Sequence, residues 1–149
     1  MCGIAGKIFF DRNRKVEDGL VKRMCDTLIH RGPDDEGIFE DYNFAFGMRR
    51  LSIIDLSSGH QPIFNEDNTI GCIFNGEIYN FRELRKDLIA RGHRFKTDSD
   101  TEVIVHSYEE FGENCLHKFN GMFAIAIWDS KNQELFLARF ILIYFHFFP

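Results

Sequence analysis

The 149-residue chain is poor in proline, with three residues, has a single tryptophan, and contains neither a Cys-x-x-Cys pair nor a His-Glu-x-x-His segment. Its four cysteines (positions 2, 25, 72 and 115) and six histidines lack the spacing of a zinc motif, so no metal is expected. Unpaired thiols suit a reducing compartment better than a disulfide scaffold. Positive charge is not in excess. Lys and Arg number 18 against 23 Asp and Glu, and the net charge of −5 argues against nucleic acid or an anionic membrane as partner. No apolar run reaches the roughly 20 residues of a bilayer-crossing helix. MCGIAGKIFF also lacks the basic region and longer apolar core of a secretory signal. These absences point to the cytoplasm. What is present, 44% hydrophobic and 28% charged residues, suits one soluble domain with its own core.

Phenylalanine is abundant, at 17 residues, and unevenly placed. Phe140 to Pro149 (FILIYFHFFP) holds five aromatic residues and no Lys, Arg, Asp or Glu, so this end differs in composition from the rest.

Strands are expected at Ile4 to Phe10, Phe44 to Met48, Leu51 to Leu56, Thr69 to Phe74, Met122 to Trp128 and Glu134 to Ala138. The last two form a hairpin across Asp129 to Gln133. Val16, Leu20, Met24 and Leu28 predict a helix over 16–29, ended by Gly32-Pro33. Asn80 with Glu83, and Ser99 with Glu102, resemble capping boxes opening two more helices that Gly92 and Gly112 close. His30 to Asp35 reads as loop. Without steady βα alternation, an α+β domain with mainly antiparallel sheet is expected.

Among residues able to do chemistry, Cys2 becomes the amino terminus once Met1 is removed, placing a thiol and an α-amine on one residue. An α-amine pKa of about 7.7 to 8.0 suits a general base for that thiol. The bland reading is a small residue at a frayed end. Asn75-Gly76-Glu77 follows a strand, and an amide beside an unobstructed Gly N–H can hold an oxyanion. Read alone, Asn-Gly is a hairpin turn. Arg49-Arg50 offers a guanidinium for a carboxylate. Asp100, at a helix start, is explained by the helix dipole or by binding of an ammonium. Cys25 and Cys72 read as inert core thiols.

Taken in order, CGIAG at 2–6, HRGPDDEG at 30–37, RLSIIDL at 50–56, Gln61-Pro62, FNGEIYN at 74–80, SDTEVI at 99–104 and NGMFAIAIWD at 120–129 resemble the glutaminase domain of glutamine-hydrolysing asparagine synthetase. The resemblance implies a class II glutamine amidotransferase of N-terminal-nucleophile hydrolase type, with two antiparallel sheets sandwiched between helical layers (αββα). It implies hydrolysis of glutamine to glutamate and ammonia through a Cys2 thioester, with Asn75 and Gly76 as oxyanion donors. Arg50 would hold the substrate α-carboxylate and Asp100 its α-ammonium, with Leu51, Ser52, Ile53, Ile54 and Glu77 lining the pocket. No cofactor is implied for this half-reaction. ATP and Mg²⁺ belong to a synthetase domain, normally on the same chain, whose SGGxDS loop this sequence lacks. The resemblance runs over 1–139, an amidotransferase domain expected to be incomplete at its C-terminal end, and 140–149 read as an apolar tail outside the family. The alternatives are a non-catalytic truncated or frameshifted fragment, or the glutaminase domain of another class II amidotransferase.

Overall fold

The computed structural model describes residues 2–51 and 59–140. Its elements run β1 (Gly3–Ile8), α1 (Leu20–Asp26), β2 (Asp35–Asp41), β3 (Phe44–Arg50), β4 (Ile63–Phe64), β5 (Ile70–Ile78), α2 (Phe81–Ala90), α3 (Asp100–Phe111), a 3₁₀ segment (Gly112–Lys118), β6 (Gly121–Asp129) and β7 (Glu134–Phe140). The strands form two antiparallel sheets, ordered β1-β3-β2 and β4-β5-β6-β7.

Each sheet buries both faces, and side-chain alternation assigns them. Phe44, Phe46 and Met48 of β3 meet Ile73 of β5 and Ala126 and Trp128 of β6 between the sheets, with the Trp128 ring stacked on Phe44 at 4.2 Å. The other face of β5 and β6, with Cys72, Phe74, Ile78, Ile125 and Ile127, packs on Ile104 and Val105 of α3. Val21 and Cys25 of α1 cover Ala45 on the outside of the first sheet, and α2 lies on α3. The layers are therefore helix, sheet, sheet, helix, as the resemblance implies. Each large apolar side chain sealed there contributes about 1.5–3 kcal/mol. Trp128 Nε1 also donates to Asp41 Oδ2 at 2.8 Å, tying the second sheet to the end of β2.

Several local expectations are corrected. The sequence reads as loop at the start of β2 and predicts no strand beyond; pairing with β3 along its whole length makes it one. Helix α1 is shorter than 16–29 because Gly19, at φ 72°, breaks its start, while Thr27 Oγ1 donates to the Met24 carbonyl and tight turns follow. Asn80 precedes α2 but does not cap it: its amide donates to Lys118 O, and its carbonyl accepts from Asn120 N, both at 2.9 Å, pinning the 3₁₀ segment instead. Ser99 does cap α3, accepting from Thr101 N, whereas the Glu102 carboxylate accepts from Lys96 N and Thr97 N rather than reaching back to Ser99. Gly112 ends α3 at φ 57°, and Gly92, at φ 109°, follows α2, as expected. The β6–β7 hairpin forms, with Asp129 opposite Glu134. The expected strand 51–56 falls largely outside the described residues.

Candidate active site

β5 does not turn at Asn75-Gly76. It continues through both residues, with Asn75 opposite Ala124 and Gly76 opposite Phe123 of β6, so the hairpin reading of this pair is corrected. Gly76 is required there by close approach: a Cβ would lie 2.1 Å from Met122 O and 2.7 Å from Phe123 Cα. Asn75 shares a face with Ile73, the face turned to the first sheet.

Backbone direction along this half of β5 is informative. Phe74 N donates to Gln61 Oε1 at 2.7 Å, and Ile78 N donates to Asp100 Oδ2 at 3.1 Å. Both N–H groups point away from β6, past the end of β4, which pairs only with Gly71 and Cys72. N–H groups two residues apart on a strand point the same way. The Gly76 N–H between them therefore points to the same open edge, where no strand pairs with it among the described residues.

Cys2 sits where β1 begins, with Gly3 paired to Arg49, and packs at the rim of the inter-sheet core. Its Sγ accepts from Leu51 N at 3.4 Å, and its carbonyl accepts from Arg31 Nε at 3.2 Å. The segment after α1 is loop through Asp34, as expected, and is held by long-range bonds. Asp34 N donates to Arg50 O, Arg49 Nε donates to Gly32 O, and a Cβ on Gly32 would meet Arg49 C at 2.3 Å. This close seam fixes the ends of β1 and β3, and with them Cys2 and the buried Arg50.

Asp100 is buried at the first position of α3. Burial pushes its carboxyl pKa up from the ordinary value, the Ile78 N–H bond opposes that shift, and the Glu77 charge adds to it. Cys25 and Cys115 are pushed up to about 11 and about 12 by burial, and Cys72 is also raised by burial, as inert core thiols should be. Cys2 is the only partly exposed cysteine of the four.

These residues converge on one cavity of about 510 Å³, lined by Cys2, Arg50, Leu51, Asn75, Gly76, Glu77 and Asp100 among others. The cavity therefore brings together a thiol, an amide beside a free-edge N–H, a guanidinium and two carboxylates. Ser52, Ile53, Ile54 and Met1 lie outside the described residues. Sequence reasoning missed Arg31, Thr101 and Arg139 in the lining, and the work of Gln61, whose amide bridges Phe74 N and Thr101 Oγ1. In sequence Gln61-Pro62 stands out only as a motif; its peptide bond is cis. No His cluster or third acid joins these residues to make a metal set among the described residues.

A family profile described as a glutamine amidotransferase domain matches residues 1–142. The chain belongs to the glutamine amidotransferase domain family. Curated relatives of this amidotransferase domain include asparagine synthetase [glutamine-hydrolyzing] 3 of Bacillus subtilis (strain 168), 45% identical over 141 residues. That alignment covers 93% of this chain and 23% of the relative. Asparagine synthetase [glutamine-hydrolyzing] 2 of the same strain is 48% identical, with 93% and 19% covered. The asparagine synthetase of Sandersonia aurantiaca is 43% identical, with 93% and 26% covered. The chain thus spans about a fifth to a quarter of these relatives, the part formed by their glutaminase domain. Among solved structures, one titled as the allosteric regulatory enzyme of purine biosynthesis superposes with a TM-score of 0.54 at 26% identity, over 67% of this chain and 24% of that one. The glutamine phosphoribosylpyrophosphate amidotransferase of B. subtilis superposes with a TM-score of 0.50 at 24% identity, over 61% and 22%. The fold is that of the N-terminal-nucleophile amidotransferases.

Proposed function

We propose that this domain hydrolyses glutamine to glutamate and ammonia, with Cys2 as nucleophile. The observation that supports it most is the shared cavity, in which the Cys2 thiol, the Asn75 amide and the outward Gly76 N–H meet opposite charges on Arg50 and Asp100.

In this mechanism Met1 is removed, and the α-amine of Cys2 takes the thiol proton. The sulfur attacks the substrate carboxamide carbon, and its C=O electron pair moves to oxygen. Asn75 and Gly76 donate to that oxyanion, an effect often worth ~100-fold or more in rate. The intermediate collapses, the C–N bond breaks, and ammonia leaves with the proton returned by the α-ammonium. Water then attacks the γ-glutamyl thioester, giving its proton to the same amine. Glutamate departs as the C–S bond breaks, and the proton restores the thiol. Arg50 and Asp100 hold the α-carboxylate and α-ammonium, with Leu51, Ser52, Ile53, Ile54 and Glu77 around them. A zwitterionic head needs one cation and one anion at a fixed separation, and this selects glutamine over simple amides. Nucleophile, base and oxyanion donors all belong to the chain, so the half-reaction calls on no cofactor.

The ammonia would feed a synthetase domain of the kind that the relatives' names imply, where ATP and Mg²⁺ activate aspartate for asparagine formation. No helix among the described residues is long and apolar enough to cross a membrane. With four free thiols, the cytoplasm is the proposed location.

A diazo-ketone analogue of glutamine tests the reading. Protein lacking Met1, checked by intact mass, should be alkylated once, at Cys2, and release ammonia from glutamine. A folded, Met1-free protein that neither labels nor turns over would overturn it.

A further inference from the structure

Away from the cavity, Glu66, His93, His106 and Glu109 come together from three separate parts of the chain: the turn between β4 and β5, the segment joining α2 to α3, and α3 itself. Their four donor atoms all lie within 4.8 Å of one another. His93 Nδ1 is 3.5 Å from Glu66 Oε1 and 3.7 Å from Glu109 Oε2. His106 Nδ1 is 3.3 Å from Glu66 Oε2 and 3.8 Å from Glu109 Oε2. Tetrahedral zinc binds such donors at 2.0–2.1 Å, which puts them roughly 3.3 Å apart. We propose that these four residues form a structural site for one divalent transition-metal ion of the zinc class.

Four further observations support it. His106 is 1% exposed, yet neither of its ring nitrogens makes a hydrogen bond, an unfavourable state that a metal on Nδ1 relieves. The far nitrogens face acids: His106 Nε2 lies 3.6 Å from Glu102 Oε1, and His93 Nε2 lies 3.6 Å from Glu110 Oε2. Carboxylates behind the imidazoles are the usual outer support of metal-bound histidine. The competing arrangement, two imidazolium–carboxylate pairs, places two like charges on rings whose centres are 4.9 Å apart. Two neutral imidazoles and two carboxylates instead balance a divalent ion. Glu66, His93 and Glu109 line a surface hollow of about 410 Å³, which gives the ion a way in and shares no residue with the Cys2 cavity. The histidine spacing in sequence pointed to no metal; folding alone assembles this set. The ion would pin the β4–β5 turn and the α2–α3 connection onto α3.

The test uses the full chain carrying Cys2→Ala, which removes the accessible thiol as a competing ligand. After chelator treatment, Zn²⁺ is titrated against a chromophoric chelator, and Co²⁺ binding is followed by visible absorption. One equivalent of zinc, an intense four-coordinate cobalt spectrum and a raised Tm are expected. Glu110→Gln should weaken zinc ~10–100-fold through loss of outer support. His93→Gln and Glu109→Gln, at partly exposed ligands, should weaken it further while leaving the circular dichroism spectrum unchanged. If His93→Gln does not fold, Glu109→Gln decides. Absence of stoichiometric zinc in the folded parent, or undiminished affinity in the folded ligand variants, overturns the proposal.

Discussion

The two halves of β5 differ although they belong to one strand. Ile70 to Phe74 are all buried and packed on both faces, paired with β6 throughout and with β4 at Gly71 and Cys72. Asn75 to Glu77 keep the pairing with β6 but have no strand on the other side among the described residues, and they are more exposed. At Gly71 and Cys72 the strand is paired on both edges. From Phe74 onward the outward N–H groups go elsewhere: that of Phe74 to Gln61, that of Ile78 to Asp100 and that of Gly76 to an open cavity edge. The candidate site lies on a sheet edge beyond the end of β4, continuous with the half of the strand that is packed in the core.

The sharpest way to break this comparison is to damage each half and measure both stability and turnover. Trp128→Ala, which empties the inter-sheet core beside Ile73, should cost ~3–5 kcal/mol in denaturant unfolding. Asn75→Ala should lower glutaminase kcat by ~100-fold or more while leaving the unfolding midpoint nearly unchanged. Equal melting losses in the two variants would erase the distinction between scaffold and reactive halves.

Gln61→Leu lies on the boundary. It leaves the buried Phe74 N–H without an acceptor, so a loss of ~1–3 kcal/mol is expected in thermal or chemical unfolding. Asp100→Asn sharpens the comparison from the other side. Removing the carboxylate should raise KM for glutamine ~10–100-fold, the range for a hydrogen bond to a charged group. Because the folded pKa of Asp100 is raised, the native state holds its proton to higher pH than the unfolded chain. Its stabilising contribution is therefore full below the unfolded pKa and lost as pH rises through the folded one. At neutral pH the Asn variant should be no less stable. In the parent protein, KM should begin to rise, as pH falls, above the range of an ordinary carboxylate. A parent KM flat down to that range would sink the role. His60→Ala, at an exposed pair with Asp35, should change stability by at most ~1 kcal/mol.

Much of the fold was legible, because β1, β3, β6 and β7 are apolar runs and α2 and α3 carry helix-end signals. β2 was not, since Asp35-Glu36-Gly37 and Glu40-Asp41 read as turn chemistry and only the register with β3 makes them strand. Asn80 was misread for a related reason: its amide had a choice between capping α2 and bridging to Lys118 and Asn120, and the tertiary partners won. At the site, the described residues carried by motif line one cavity, whereas Arg31 and Gln61 act through long-range bonds that leave no local pattern.

The sequence by itself determined the cysteine at position 2 ahead of a strand, the order of the motifs, and hence the family. Tertiary structure alone decided that Asn75-Gly76 is strand rather than turn, that the Gly76 N–H faces a cavity, and that Glu66, His93, His106 and Glu109 meet. The physical reason is directional. Residue types set which bonds a group can make, but where a donor points depends on strands and helices brought together from distant parts of the chain.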